Sequence, residues 1–262
     1  VSEHATSTVG DRVAYDRFGA GPALIFIAGA GPFRAIDPWT TETAQVAARH
    51  GITAIVYDRL GRGESRVDGR IDLDRELAAV AALVEAAGGS AVLCGHSSGC
   101  SIALAAAASG LPVDGLALWE APLGPEGGGA REWADEVDRR ISAGDLEGAL
   151  VHYMKDMPPE FLANARTSPV FPTMVSQVVS HRPDAESLAW AESAPLAELF
   201  SGINVPVQVM TGEETYPVML TAAEAIVAAI PGATHKRMPG ANHTWDPVPM
   251  AAELAAFVKA PR

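Results

Sequence analysis

The chain has few of the residues on which redox, metal and membrane chemistry depend. Its 262 residues include only two cysteines, Cys94 and Cys100. They stand on either side of a sharp turn that points their side chains apart, which argues against a disulfide. Reduced thiols packed in the core of a cytoplasmic protein are the expectation. No Cys/His cluster has metal-ligand spacing and there is no G-x-x-x-x-G-K-S/T loop, so no metal or cofactor is implied. Hydrophobic residues make up 48% of the chain, yet no apolar run is long enough to span a bilayer. The opening Val1-Ser2-Glu3-His4 has neither the basic n-region nor the apolar h-region of a secretory signal. Positive charge is scarce, with 19 Lys and Arg against 32 Asp and Glu and a net charge of −13. That balance argues against nucleic acid and anionic membrane as partners. A small-molecule substrate is the remaining expectation, and a homo-oligomer stays open. The length suits one large α/β domain, alone or with an insertion.

The most informative stretch present is Gly95-His96-Ser97-Ser98-Gly99. The apolar run Ser90-Ala91-Val92-Leu93-Cys94 before it reads as a buried strand, and the alanine-rich Cys100–Ala108 after it reads as a helix packed close to a sheet. Strand, tight turn, helix is the context that a G-x-S-x-G nucleophile elbow requires. Only Ser97 has glycine at both −2 and +2, so Ser97 rather than Ser98 is the candidate nucleophile.

Elsewhere, Ser7-Thr8-Val9 and Val13-Ala14-Tyr15-Asp16 flank Gly10-Asp11 as the arms of a hairpin. Ala23–Ile27 and Thr53–Tyr57 read as central strands covered on both faces. Pro38–His50 and Asp72–Ala87 read as helices closed by glycine, and Gly115–Trp119 as a further strand. From 121 to about 203 the alternation stops. Four short helices, Ala130–Arg140, Asp145–Lys155, Thr173–Val179 and Asp184–Glu192, are separated by prolines. Alternation resumes with the strand Val207–Thr211, a helix from Met219 to Ile230, a short strand near His235–Met238 and a closing helix from about Met250 to Lys259. The pattern predicts an α/β fold with a mostly parallel central sheet flanked by helices, its core in residues 1–120 and 204–262. Residues 121–203 form a helical cap, and function belongs at the carboxyl ends of the strands.

A serine needs a base to take its proton. Of seven histidines, His243 lies in a loop after the last predicted strand, at the same sheet edge as Ser97. His96 adjoins the serine, so its ring points away and serves packing or substrate contact. His152 and His181, in the cap, could line the pocket but read first as surface residues.

Ala28-Gly29-Ala30-Gly31, Asp58-Arg59-Leu60-Gly61-Arg62-Gly63-Glu64-Ser65, the elbow and Pro239-Gly240-Ala241-Asn242-His243 occur in that order. In this the chain resembles the α/β-hydrolase superfamily over nearly its whole length. The resemblance implies a serine hydrolase with an acid between Ser97 and His243 in the chain. Most members place an aspartate where this chain has Thr215, which cannot hold a negative charge. Glu120, at the end of the sixth strand, is the candidate acid, and Glu214 is the alternative. The Ser-Ser-Gly after His96 and the run Trp119-Glu120-Ala121-Pro122 resemble the lactone-hydrolase branch, which carries its acid after the sixth strand. Haloalkane dehalogenase and epoxide hydrolase are disfavoured, since both need aspartate at position 97.

The resemblance further implies an oxyanion hole from the backbone N–H groups of Ala30 and Ser98. Asp58 and Arg59 read as loop-bracing residues. The expected activity is hydrolysis of a carboxylic ester or lactone through a Ser-His-Glu triad. C–C bond hydrolysis or a lyase reaction on the same fold, or a non-catalytic small-molecule binder, are the alternatives. Trp133, Tyr153, Met154 and Trp190, with Met157, Phe161 and Phe171, are candidates for an apolar pocket roof, which with His96 would bind an apolar ester or lactone.

Overall fold

The computed structural model describes residues 2–125 and 127–261. The elements in chain order are β1 (Glu3–Thr6), β2 (Arg12–Gly19), β3 (Ala23–Ile27), α1 (Pro38–Ala48), β4 (Thr53–Tyr57), α2 (Leu73–Ala86), β5 (Ala91–His96), α3 (Ser98–Ala108) and β6 (Val113–Trp119). Then come α4 (Ala130–Ser142), α5 (Leu146–Tyr153), α6 (Pro159–Thr167), α7 (Phe171–Gln177), a 3-10 turn (Val178–His181), α8 (Arg182–Ala191) and α9 (Leu196–Leu199). The chain closes with β7 (Val207–Gly212), α10 (Pro217–Ala229), β8 (Thr234–Met238), the short pair β9 (Gly240–Ala241) and β10 (Thr244–Trp245), and α11 (Pro247–Lys259).

The chain folds as an α/β domain: an eight-stranded, mostly parallel sheet, flanked by helices, in the order β1-β2-β4-β3-β5-β6-β7-β8. Only the β1–β2 and β2–β4 pairings are antiparallel within it. Alternation along each strand assigns side chains to two faces. Ile25 and Ile27 of β3 and Leu93 of β5 join α2, α3 and α10 in one core. Leu24, Phe26 and Val92 join α1 and α11 in the other. Every residue of β3 and β4 is buried, as strands covered on both faces must be.

Between β6 and β7 every regular element of the described chain is a helix. These helices have a core of their own around Val137, Leu150, Val178 and Ala189. Among the described residues no helix is long and apolar enough to cross a membrane.

Three expectations need correction. The first hairpin is displaced: Ser7-Thr8-Val9 is the turn, and β1 lies before it, with Thr6 paired to Arg12. Ser7 and Asp11 close the turn through Ser7 N–H to Asp11 O at 2.9 Å and Asp11 N–H to Ser7 Oγ at 3.1 Å, which leaves Val9 exposed. Second, α6 and α9 were not predicted, and α7 begins at Phe171 and ends in a separate 3-10 turn. Third, α11 begins at Pro247 rather than Met250, with the Asp246 side chain accepting from the Val248 amide. The last two differences share a cause. Prolines read as separators occupy first-turn positions of α6, α7, α8 and α11, where a missing N–H costs nothing and a fixed φ helps.

Candidate active site

The elbow is built by close contact. A Cβ on Gly99 would lie 2.1 Å from the Ile27 carbonyl oxygen, and one on Gly95 would lie 2.6 Å from Cys100 Cα. Only glycine lets α3 approach β3 and β5 this closely. Ser97, between them, has φ 54° and ψ −129°, and its amide donates to the Trp119 carbonyl at 2.9 Å. The chain thereby turns sharply and the Ser97 side chain faces a cavity of about 880 Å³, which His243 also lines.

Among the described residues, the non-glycine positions with positive φ are Ser97, Glu120, Asn242 and His243. Such conformations are costly and gather at functional sites. Asn242 and His243, with φ 52° and 67°, are the two loop residues between Ala241 and Thr244, which pair across β9 and β10. A two-residue hairpin loop with both φ values positive has the form of a type I′ turn, and it presents the imidazole at the sheet edge. The His243 carbonyl accepts from His96 Nε2 at 2.9 Å and from Trp119 Nε1 at 3.4 Å, which pins the loop.

Glu120 follows β6 and is 1% exposed. One carboxylate oxygen, Oε2, lies 2.6 Å from His243 Nδ1, and Oε1 accepts the Gly212 amide at 3.0 Å. The Thr215 hydroxyl is close enough to favour the same carboxylate, though it does not reach hydrogen-bond geometry. Burial alone would raise the Glu120 pKa, but His243, Thr215 and the Gly212 amide together hold it below the ordinary carboxylate value. A carboxylate only accepts, so Nδ1 carries a proton, and in the neutral ring Nε2 has the lone pair. The hydrogen bond from Ser97 to this nitrogen is not formed in this conformation; such bonds often close only with substrate in place.

The structure therefore brings Glu120 and His243 together and leaves Glu214 apart. Glu214 is exposed, and its amide donates to the Gly240 carbonyl at 3.1 Å. Ala30 and Ser98 both line the cavity beside Ser97. A Cβ on Gly29 would lie 2.9 Å from Ser97 Cβ, so the loop carrying Ala30 abuts the elbow. Neither the Ala30 nor the Ser98 amide bonds to another described backbone group, which leaves two donors for a developing oxyanion.

His96 lines the cavity too. Its ring lies 5.0 Å from those of His243 and Trp245. Burial, reinforced by His243, pushes its pKa down to about 3, so it is a neutral donor. Trp133, Tyr153, Met154, Met157 and Phe161 line the cavity. Trp190 and Phe171 do not. Trp190 packs into the sheet core with its ring 5.9 Å from Phe200, and Phe171 belongs to the core of the helical segment.

His181 is a second correction: it is 3% exposed and faces the cavity rather than solvent. His152 is half-buried and lines a separate surface pocket. Met174, Leu188, Tyr216 and Met219 also line the main cavity. Their apolar spacing is that of ordinary core positions, so nothing in the sequence marks them.

Beneath the site, Asp58 accepts the amides of Arg34 and Glu64, each at 2.9 Å, as a loop brace should. Arg59 pairs with Glu76 at 2.9 Å and Asp184 at 2.6 Å. Arg62 pairs with Asp184 at 3.0 Å and donates to the Gly29 carbonyl at 2.6 Å. Burial pushes Arg62 down to about 10, with Arg59 adding to the effect, yet it remains charged near neutral pH. Cys94 and Cys100 are free, buried thiols. Among the described residues no group of three or more His, Cys, Asp or Glu side chains could hold a metal ion.

A model of the alpha/beta hydrolase family matches residues 24–260. An alpha/beta hydrolase from Sphaerobacter thermophilus superposes with a TM-score of 0.81 at 29% identity, over 97% of this chain and 99% of that one. A hydrolase from Pseudomonas aeruginosa gives 0.69 at 24% identity, covering 99% and 98%. A thermophilic esterase from Thermogutta terrifontis gives 0.67 at 21% identity, covering 99% and 97%. At these lower identities the likeness is one of fold. No curated protein matches the chain.

Proposed function

The chain belongs to the alpha/beta hydrolase family, and from that premise we propose that it is a serine hydrolase cleaving an apolar carboxylic ester or lactone through an acyl-enzyme. The observation that carries the proposal is the 2.6 Å contact between Glu120 and His243 Nδ1, which leaves Nε2 as a base in the cavity that Ser97 faces.

In this reading His243 Nε2 removes the Ser97 proton as Oγ attacks the substrate carbonyl carbon. The carbonyl π pair moves onto oxygen, where the amides of Ala30 and Ser98 receive it; each such donor contributes about 3 kcal/mol to the transition state. Glu120 offsets the charge of the imidazolium. When the intermediate collapses, His243 returns the proton to the leaving alkoxide oxygen and an acyl-Ser97 ester remains. Water, deprotonated by the same nitrogen, then attacks that ester and releases the acid, restoring Ser97.

Residues 121–203 act as a cap whose apolar wall, with Trp133, Tyr153 and Met154, selects the substrate. Among the described residues, the carboxylate lining the cavity is that of Asp156, which pairs with Lys155 and has a 76% exposed side chain. An uncharged, apolar substrate suits such a wall. The two free thiols suit a cytoplasmic location.

Labelling by a fluorophosphonate probe and turnover of short p-nitrophenyl esters test the proposal. Both are expected, and both are expected to vanish in Ser97→Ala. A wild-type protein that takes no label, under conditions that label a control serine hydrolase, would leave only a binding role.

A further inference from the structure

His181 is a polar side chain in the cavity wall with no part in the chemistry above. It ends the 3-10 turn before α8, is 3% exposed and lines the cavity. Its Nδ1 is buried without a hydrogen-bond partner among the described residues, and Nε2 has no partner either but is not enclosed. The ring nears the Gln177 carbonyl without bonding to it and meets Tyr153 edge-on at 4.8 Å. A buried polar atom without a partner is costly. Nδ1 itself is enclosed by protein, so what a ligand meets is Nε2, in a wall shared with Leu150, Met154, Met174 and Leu188, where that nitrogen lacks a protein partner.

Burial is the main influence on this ring, and Arg62 reinforces it; together they hold its pKa down at about 3, although Asp184 pulls the other way. The imidazole is neutral, so one nitrogen donates and the other accepts. Neutral groups of that kind suit a hydroxyl or carbonyl oxygen. A carboxylate would need a cation. The nearby guanidinium groups of Arg59 and Arg62 are 0% exposed and already paired with Asp184.

We infer that His181 is a specificity-determining contact that selects substrates bearing a second, uncharged oxygen, hydroxyl or keto, away from the scissile carbonyl. The inference rests on the hydrolase reading for the position of that carbonyl at Ser97, while the contact itself is a matter of binding.

Calorimetric titration of the Ser97→Ala protein, which does not turn substrate over, tests it. The ligands are methyl hexanoate, its hydroxy and oxo analogues with oxygen on the fourth, fifth or sixth carbon, and monomethyl adipate. At least one neutral oxygenated ester is expected to bind about tenfold more tightly than methyl hexanoate, and monomethyl adipate is expected to gain nothing. In the Ser97→Ala/His181→Phe protein, which keeps an aromatic ring against Tyr153, that ratio is expected to fall to about one. Ser97→Ala/His181→Gln, with a neutral donor and acceptor, recovers part of it. The inference is overturned if no oxygenated ester outbinds methyl hexanoate, or if the advantage survives His181→Phe. Because the readout is affinity, absence of ester turnover in the wild-type protein would sink the hydrolase reading alone.

Discussion

The Ser98 hydroxyl donates to Asp184 Oδ1 at 2.7 Å, which ties the residue after the elbow serine to a helix between β6 and β7. The same oxygen accepts from Arg59 at 2.6 Å, and Oδ2 accepts from Arg62 at 3.0 Å. Arg62 also holds the Gly29 carbonyl, so elbow, Ala30 loop and α8 share one buried carboxylate. Exchanging such a group for well-packed apolar residues can be neutral, but removing one member leaves uncompensated charge. Asp184→Asn is expected to cost about 3–5 kcal/mol, because two buried guanidinium groups lose their common partner. Ser98→Ala leaves both arginines paired and is expected to cost about 1–2 kcal/mol. Denaturant midpoints measure both, and equal losses would contradict the account.

The identity of the acid is open to a direct comparison. Glu120→Gln keeps the shape of the side chain but removes the charge and can turn an amide N–H toward His243 Nδ1, which favours the wrong tautomer. Hydrolysis of p-nitrophenyl esters is expected to fall by about 10³- to 10⁴-fold. Glu214→Gln, at an exposed position, is expected to stay within about twofold of wild type, the scale of a surface change. Full activity in Glu120→Gln would remove it from the mechanism.

Much of this arrangement was legible because local sequence and tertiary demand coincide. Gly95 and Gly99 are required by contacts with the neighbouring strand and helix, so the motif announces the turn. Glu120 ends an apolar strand, and a carboxylate there falls at the edge where β-α connections converge. The cavity wall was less legible. His181 and Trp190 sit in similar short helical stretches, yet one faces the cavity and the other the sheet core. That choice is made by how α5, α8 and the 3-10 turn pack on one another, and helical spacing says nothing of it. The prolines of the same region are ambiguous for a related reason: a proline that ends one helix also suits the first turn of the next.

Backbone strain at Ser97 gives a prediction about stability rather than rate. At φ 54° and ψ −129° any side chain is strained, and glycine is not. Ser97→Gly and Ser97→Ala both remove the proposed nucleophile. Ser97→Gly is nevertheless expected to be the more stable of the two by about 1 kcal/mol, the middle of the range for one strained residue less the entropy of glycine in the unfolded chain. For a domain of this size that is a difference of about 2–4 °C in Tm. Calorimetric scans of the two variants decide it, and a less stable glycine variant would mean that Ser97 carries no strain.

Acid stability follows from the buried histidines. In the unfolded chain His181 takes up a proton near its ordinary pKa of 6.5, whereas in the fold it does so only near 3. Between those values the unfolded chain binds the extra proton, so acidification favours unfolding. The contribution is fully present above pH 6.5 and is lost as pH falls toward 3. One such group gives a slope of about 1.4 kcal/mol per pH unit once pH is well below the unfolded value. His96 shifts in the same direction but is only partly covered by the fold, so it adds a smaller share. Glu120, held below 4.5, adds its own loss only below that value. Urea unfolding at intervals from pH 7 to pH 4.5 therefore separates the histidines from the carboxylate. His181→Phe is expected to flatten the wild-type slope by about 1.4 kcal/mol per pH unit between pH 6 and 4.5. Parallel slopes for the two proteins would mean that His181 is protonated as readily in the fold as out of it.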